Sequence, residues 1–469
     1  MRKSLIATWA HFIKSHRFNL LILSGVFAVF AFLRFTNLEV RLPFAWDQEQ
    51  FSTQVRDILR DHKFTLLGPR VTDDRGFFLA PYFTYLLIPF FIVTKLHPSA
   101  LYLFTITVNI VFFCFAAYIL YKLFGARQAM LFLFLWSINP TLVKYDTTPW
   151  WPILLPLGVL SILYELKLLY NNKNNLYLWG LIGTTIGFFC NMHFQFIFIG
   201  AFTAIFILLM LEKKLINYWR HLLLMTFSFL CMFIPLVLFD MRHNHLNYTL
   251  FTTYFSERVF DDLPYMEAWL PVFANIMKPF IGVSNPYAAI AFLILLGAIF
   301  FYFIYKTQGF HNLFYISSLT LIIITIVGFS LYGKRPSEYY FTYFMPFIYI
   351  ALSDFLIRLN RKLITGIVIG VFIFINFTDL KNSTKRESLN LYDKDTAVQK
   401  IIPFAQDKRV NVSYDMPLGL NNGYDYFVDY YKINRTGDAK DPLIELRIPP
   451  RDGDIVVENI GVHIPPELK

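Results

Sequence analysis

Residues 45–50, Ala-Trp-Asp-Gln-Glu-Gln, follow directly on an apolar run long enough to cross a membrane. They place two carboxylates, Asp47 and Glu49, within one helical turn. Carboxylates at such a position can do two kinds of work: they cap helices, or they exchange protons as catalytic groups. Beyond Asp47, apolar residues recur at Phe51, Val55, Ile58 and Leu59, one stripe of a helix that is expected to lie flat in the membrane interface. On that reading Asp47 is the N-cap, Gln50 completes a capping box, and Trp46 and Phe51 form a hydrophobic staple. A cap is worth about 1 kcal/mol and needs no chemistry. It also needs only one acceptor, whereas this turn supplies two carboxylates. A capped carboxylate is rigid and ionised, so one residue can be both cap and catalytic group at a membrane surface.

The elements that must position these residues are membrane spans. Hydrophobic residues make up 56% of the 469-residue chain and charged residues only 16%, against roughly 25% charged in soluble domains. The deficit falls in long uncharged runs, which excludes a soluble enzyme and predicts an all-α polytopic membrane protein. Eleven runs read as spans: 18–36, 99–121, 128–144, 150–169, 176–190, 193–211, 219–240, 286–305, 312–331, 338–357 and 362–378. A twelfth stretch, 77–96, is interrupted by Pro81 and Pro89 and is read as a juxtamembrane or re-entrant element. Basic residues set the orientation. With the N-terminus inside, the short inner loops carry Lys122, Arg127, Lys167, Lys173, Lys213, Lys214, Arg220, Lys306, Arg358, Arg361 and Lys362, against six basic residues in the longer outer loops between 144 and 337. This gathers 37–98, 145–149, 241–285 and 332–337 on the extracytoplasmic side. The basic lead with Arg2, Lys3, Lys14 and Arg17 has no small-residue cleavage site after it and is read as part of a retained first span.

The organisation that follows is a transmembrane catalytic region over 1–379 and a small extracytoplasmic α/β domain over 380–469. In the tail, 408–416 and 454–462 read as strands and 393–405 as a helix. Cys114, Cys190 and Cys231 fall inside apolar runs and read as packing residues. The net charge of +10 is an orientation signal. It forms no clustered basic face, so nucleic acid is not an expected partner.

Several stretches, taken in order, resemble bacterial relatives of the protein O-mannosyltransferases and lipid A aminoarabinose transferases, members of the GT-C glycosyltransferase superfamily. They are Trp46-Asp47-Gln48 after the first span, then 56–59 and 66–69, the aromatic stretch 79–90, 137–156 with its Lys144-Tyr145-Asp146, the Gly-rich and His-containing 183–199, and the Tyr-rich 337–352. The resemblance covers most of 18–378. It departs from the family where Gln48 separates two acids that are usually adjacent, and where Phe77 and Phe78 stand in place of a cation, with Arg75 the nearest. The tail from 380 resembles nothing that names it.

The resemblance implies transfer of a sugar from a polyprenyl-phosphate carrier to an acceptor hydroxyl at the outer face of a bacterial plasma membrane. The acceptor class, whether glycan, lipid or protein, stays open. Asp47 is then the general base, a role worth roughly 10²–10⁴ in rate. Glu49 and Asp146 assist, or complete with Asp47 a hard oxygen-liganded site for Mg²⁺ or Mn²⁺; a solvated loop Asp is the plain alternative for Asp146. His193 would bond sugar or phosphate, or merely pack at the interface. Arg335 with Tyr339 and Tyr340 is the expected phosphate clamp, guanidinium geometry suiting phosphate oxygens, with Arg75 and Arg242 as further candidates. The rival reading is a transporter or flippase for a lipid-linked glycan. Transporters carry ionisable groups near the bilayer midplane, whereas here Arg34, Glu165, Glu338 and Asp354 lie toward span ends.

Overall fold

The computed structural model describes residues 2–71, 76–256, 265–281, 285–332, 336–405 and 408–469, and within these the side chains of all but 2–18, 213, 265–268, 277, 281 and 332. The chain begins with α1 (Arg2–Phe35), whose apolar part is Asn19–Phe35. It turns through Leu38–Val40 into α2 (Trp46–Asp61) and α3 (Tyr82–Val93). At 12 residues α3 is about 18 Å long, well short of a hydrocarbon core of about 30 Å. The stretch 77–96 therefore holds only a short helix, with Pro89 inside it.

The helix bundle continues with α4 (Ala100–Phe124), α5 (Ala126–Ser137) and α6 (Pro140–Asp146). The expected single span 128–144 is thus two helices. Asn139 caps α6 by accepting from the Leu142 amide at 2.8 Å, and Pro140 occupies its first turn. Next come α7 (Leu155–Asn171), α8 (Leu176–Met192), α9 (Ile197–Leu211), and the pair α10 (Trp219–Cys231) and α11 (Ile234–Arg242), bent by 54° where one span was expected. The expected outer loop 241–285 contains two further helices, α12 (Leu246–Ser256) and α13 (Tyr265–Ile281), and α13 packs on α14 (Pro286–Lys306) and α15 (Gly309–Tyr332). The last of the bundle are α16 (Met345–Arg358) and α17 (Lys362–Ser383).

Among the described residues seven helical stretches are long and apolar enough to cross a membrane, or eight if the bent pair counts as one, and α8 and the apolar part of α1 are shorter apolar helices. The chain is an integral membrane protein. Close packing comes from particular residues. A Cβ on Gly183 would lie 2.0 Å from the Met225 carbonyl oxygen, and one on Gly187 2.6 Å from that of Phe229. Glycine alone lets α8 and α10 approach so closely. At the end of the bundle away from Asp47, basic residues meet their neighbours: Lys173 donates to the Met210 carbonyl at 2.9 Å, and Lys167 lies 4.8 Å over the Phe310 ring.

Beyond α17 the chain forms α18 (Leu391–Gln399), capped by the Asn390 side chain, α19 (Ile402–Ala405), β1 (Asn411–Asp415), α20 (Tyr424–Tyr430), β2 (Leu443–Arg447), β3 (Ile455–Val457) and β4 (Ile460–His463). The sheet order is β1-β2-β4-β3. β1 and β2 pair in parallel, with Asn411 opposite Leu443 and α20 in the crossover, while β3 and β4 form an antiparallel hairpin. Ile444, Leu446, Val462, Tyr424 and Phe427 fill the core beneath.

Candidate active site at the end of the bundle

Asp47 does not cap α2. The N-cap is Ala45, whose amide donates to the Gln48 side-chain oxygen at 3.1 Å, so Gln48 rather than Gln50 closes the first turn. Trp46, expected in a hydrophobic staple, is 49% exposed. The apolar stripe is turned toward protein and not toward lipid: Phe51, Val55 and Ile58 are buried, and the Phe51 ring packs edge-on against Phe83 at 4.9 Å and Trp151 at 5.3 Å. Alternation around the helix explains the outcome. Fixing Phe51 and Val55 inward puts Gln48 inward as well, one turn earlier, where its amide reaches the Pro149 carbonyl at 3.4 Å. Asp47, one residue before, is left partly exposed in the first turn, where a carboxylate also suits the helix dipole.

Across from Asp47 stands an aromatic cluster. The Asp47 charge acts on the Tyr339 hydroxyl. Tyr339 packs 4.7 Å from Trp150, 5.8 Å from Tyr145 and 4.4 Å from Tyr340. His193 meets Tyr339 and Tyr340 edge-on at 6.1 and 5.8 Å. His193 ends α8, and its Nδ1 accepts from the Gln195 amide at 3.4 Å. The half-buried His193 ring thus faces the two tyrosines. Four expected site residues, Asp47, His193, Tyr339 and Tyr340, therefore come together.

The other two carboxylates diverge from Asp47. Glu49 accepts from the Gly423 amide at 2.7 Å and the Tyr426 amide at 3.0 Å, so it caps α20 and ties α2 to the C-terminal segment. Burial raises its carboxyl above the ordinary value, and those two amides pull the other way. Asp146 lies at the same end of the bundle but is 7% exposed, and its Oδ2 takes both Arg34 Nε at 2.9 Å and Arg34 Nη2 at 2.6 Å, with the Trp136 indole N–H at 3.3 Å. Arg34 is itself fully buried and fills its other donors with the Ser137 and Trp136 carbonyls. The expectation that Asp47, Glu49 and Asp146 together hold a divalent ion is corrected: Glu49 is turned to the α20 amides and Asp146 to Arg34, and no group of three His, Cys, Asp or Glu suited to a metal occurs among the described residues.

Arg75 and Arg335 lie outside the described residues. Arg242 is exposed at the end of α11 and makes no described contact with this cluster. Several residues of the site were not foreseen. Tyr145 donates to Glu338 at 2.8 Å, and Lys278 pairs with Glu338 at 3.3 Å, which fixes the residue before Tyr339. Lys394 donates to the Phe44 carbonyl at 2.9 Å, and burial pushes its ammonium down to about 8. The readable signal for the Arg34 pair was a single cation at the end of an apolar span, which has to find an acid there.

On its α15 side the cluster opens into an apolar cavity of about 250 Å³, bordered by His193, Phe198, Tyr254, Phe329 and Tyr340. Asp47, the aromatic cluster and the apolar slot meet at one end of the bundle, and the fold around them is of the GT-C type. The solved structures that resemble it are particular. ArnT from Cupriavidus metallidurans superposes with a TM-score of 0.58 at 12% identity over 96% of this chain and 98% of that one. The same protein bound to undecaprenyl phosphate gives 0.58 at 11% identity, over 95% and 98%. The oligosaccharyltransferase AglB from Archaeoglobus fulgidus, in complex with an inhibitory peptide and a dolichol-phosphate, gives 0.51 at 13% identity over 89% of this chain. The chain spans only 60% of that oligosaccharyltransferase. No family model matches the sequence, and no curated protein matches it.

Proposed function

We propose that the protein is a membrane glycosyltransferase that moves a sugar from a polyprenyl-phosphate donor to an acceptor hydroxyl at the extracytoplasmic face. Asp47 is the general base. The acceptor O–H gives its proton to Asp47, the acceptor oxygen bonds to the anomeric carbon, and the bond from that carbon to the phosphate oxygen breaks. The polyprenyl phosphate leaves with the electron pair. A phosphate leaving group needs little protonation, so the larger demand is for donors and cations around its oxygens. Tyr339, Tyr340 and His193 are hydrogen-bonding groups of the cluster across from the base, and Arg335 and Arg75 remain the candidate phosphate cations. The apolar cavity beside Tyr340 suits the first isoprene units of the carrier. That ArnT binds undecaprenyl phosphate and AglB a dolichol-phosphate on the same fold supports a lipid-linked donor.

The observation that carries this reading is the place of Asp47, in the first turn of α2 and set against Tyr339. The experiment is transfer of labelled sugar from polyprenyl-phosphate donors by purified wild-type and Asp47→Asn protein. Loss of transfer by 10²-fold or more, with carrier binding retained, is expected; undiminished transfer removes the base assignment. One feature favours a transporter instead: Glu165 is 7% exposed inside the bundle, takes the Thr185 hydroxyl at 2.8 Å and has its second oxygen without a hydrogen-bond partner among the described residues. Absence of transfer from every donor, with Glu165-dependent translocation of a lipid-linked glycan, would establish that alternative.

A further inference from the structure

Glu338, Tyr339 and Tyr340 are consecutive, yet they border three different spaces. Tyr340 borders the apolar cavity, Tyr339 stands by Asp47, and Glu338 lines a second cavity of about 460 Å³. This second cavity lies between α6, the end of α17 and the chain leading to α18. Its cations are Arg41, Lys144, Lys278 and Lys385, and its acids Glu338, Asp379 and Glu387. The opposing charges do not cancel. Lys278 and Glu338 are spent on each other. Asp379 and Glu387 are left against Arg41, Lys144 and Lys385. The two lysines are exposed and have no ion-pair partner among the described residues.

Arg41 is the unusual member. It is 6% exposed, and its Nη1 donates to the Leu33 carbonyl at 3.0 Å and the Thr36 carbonyl at 2.9 Å. Its Nη2 is buried with no hydrogen-bond partner among the described residues. A buried guanidinium N–H without an acceptor is costly, and an oxyanion against the cavity wall is the partner it lacks. Hydroxyls and an amide complete the lining, from Thr141, Thr147, Thr148, Ser383 and Asn382. Cations beside hydroxyls suit a sugar that bears a negative group. The cavity also adjoins the chemistry: Thr148 precedes Pro149, whose carbonyl holds Gln48, the neighbour of Asp47.

Resting on the transferase reading above, we propose that this polar cavity seats the acceptor and selects one whose sugar carries a phosphate or carboxylate. Donor and acceptor then enter from opposite sides of the Glu338–Tyr340 segment, the donor tail by the apolar cavity and the anionic acceptor by the polar one.

The test uses the full chain in nanodiscs and three probes: N-acetylglucosamine 1-phosphate, uncharged N-acetylglucosamine, and undecaprenyl phosphate. The phosphosugar is expected to bind more tightly than the uncharged sugar. The double variant Lys144→Ala/Lys385→Ala, both at exposed positions, is expected to weaken the phosphosugar about tenfold and to leave the undecaprenyl phosphate affinity unchanged. Equal binding of the two sugars overturns the proposal, as does an unchanged phosphosugar affinity in the double variant. Equal loss of phosphosugar and undecaprenyl phosphate overturns it too, making the cavity the donor phosphate site. Competition by phosphatidylglycerol nanodiscs, relative to phosphatidylcholine ones, overturns it in favour of a lipid headgroup. Failure of the transferase reading is separate: it appears as absence of sugar transfer and of undecaprenyl phosphate binding in the wild type, whatever the phosphosugar does.

Discussion

At the scale of single residues, three carboxylates that look alike in the sequence have three different tasks. Asp47 is set against Tyr339, Glu49 caps a helix from the C-terminal segment, and Asp146 neutralises Arg34. The Arg34–Asp146 pair gives a sharp prediction. Removing one partner of a buried pair strands the other charge, at about 3–5 kcal/mol, whereas replacing both with apolar residues is often close to neutral. Asp146→Ala is therefore expected to lower the thermal unfolding midpoint strongly, and Arg34→Met/Asp146→Leu to recover most of it. If the paired variant also recovers sugar transfer, Asp146 is structural; a stable but inactive double variant would return it to the chemistry. Sequence made the carboxylates visible but not their division of labour. An Asp at a loop end looks the same whether it faces water or an arginine 112 positions earlier in the chain. The capping assignment failed for a local reason: Asp47 and Gln50 have the spacing of a capping box, but burial of Phe51 and Val55 sets the helix phase and makes Gln48 the residue that turns back.

At the scale of elements, the C-terminal segment holds the strip of chain that carries Asp47. Residues 44–49 are gripped at both ends, Phe44 by Lys394 and by the Tyr426 and Phe427 rings, and Glu49 by the first turn of α20. Arg56 adds an ion pair to Asp429 at 3.1 Å, and the Tyr426 hydroxyl donates to the Leu96 carbonyl at 2.7 Å. Gly423 is the hinge of this contact: its φ is +95°, and a Cβ would lie 2.6 Å from the Phe44 carbonyl oxygen. Gly423→Ala should then cost at least about 1 kcal/mol through the left-handed backbone alone, and lower kcat while leaving the donor Kd unchanged, because Asp47 loses its support and not its charge. The contact also carries a pH signature. Lys394 titrates near 8 in the folded protein against an ordinary 10.5, so between those values the unfolded chain binds more protons and stability rises with pH. Below pH 8 both states are protonated and the burial cost is felt in full. Glu49, raised by burial, works the other way and favours the docked form as pH falls toward its ordinary 4.5. Scanning fluorimetry from pH 7.5 to 10 should show a rising midpoint that Lys394→Met flattens; an unchanged slope in that variant would detach the effect from Lys394.

At the scale of the whole molecule, the apolar runs made the membrane body legible, and an ordered set of weak motifs pointed to its GT-C-type fold. The breaks inside that body were harder to see. Asn139-Pro140 divides the run 128–144, and the α10–α11 bend interrupts 219–240, because capping and packing against neighbours override a hydropathy pattern that continues through both. The helices within 241–285 escaped notice because their apolar positions serve packing on neighbouring helices, α12 on α11 and α13 on α14 and α15. Orientation is the property on which the proposed chemistry depends most. Lys173 and Lys167 gather at one end of the bundle, and Asp47, His193, Tyr339 and the sheet-bearing segment at the other. Short loops rich in Lys and Arg stay cytoplasmic, so the Asp47 end is expected outside. Single cysteines placed at the exposed positions Leu418 and Lys385, in a protein whose three native cysteines are replaced, should react with a membrane-impermeant maleimide in intact cells. A cysteine at Lys306 or Lys122 should react only after the membrane is opened. The reverse pattern would put the carboxylate on the cytoplasmic side, where an extracytoplasmic acceptor could not reach it, and the transferase reading would have to be rebuilt around a cytoplasmic one.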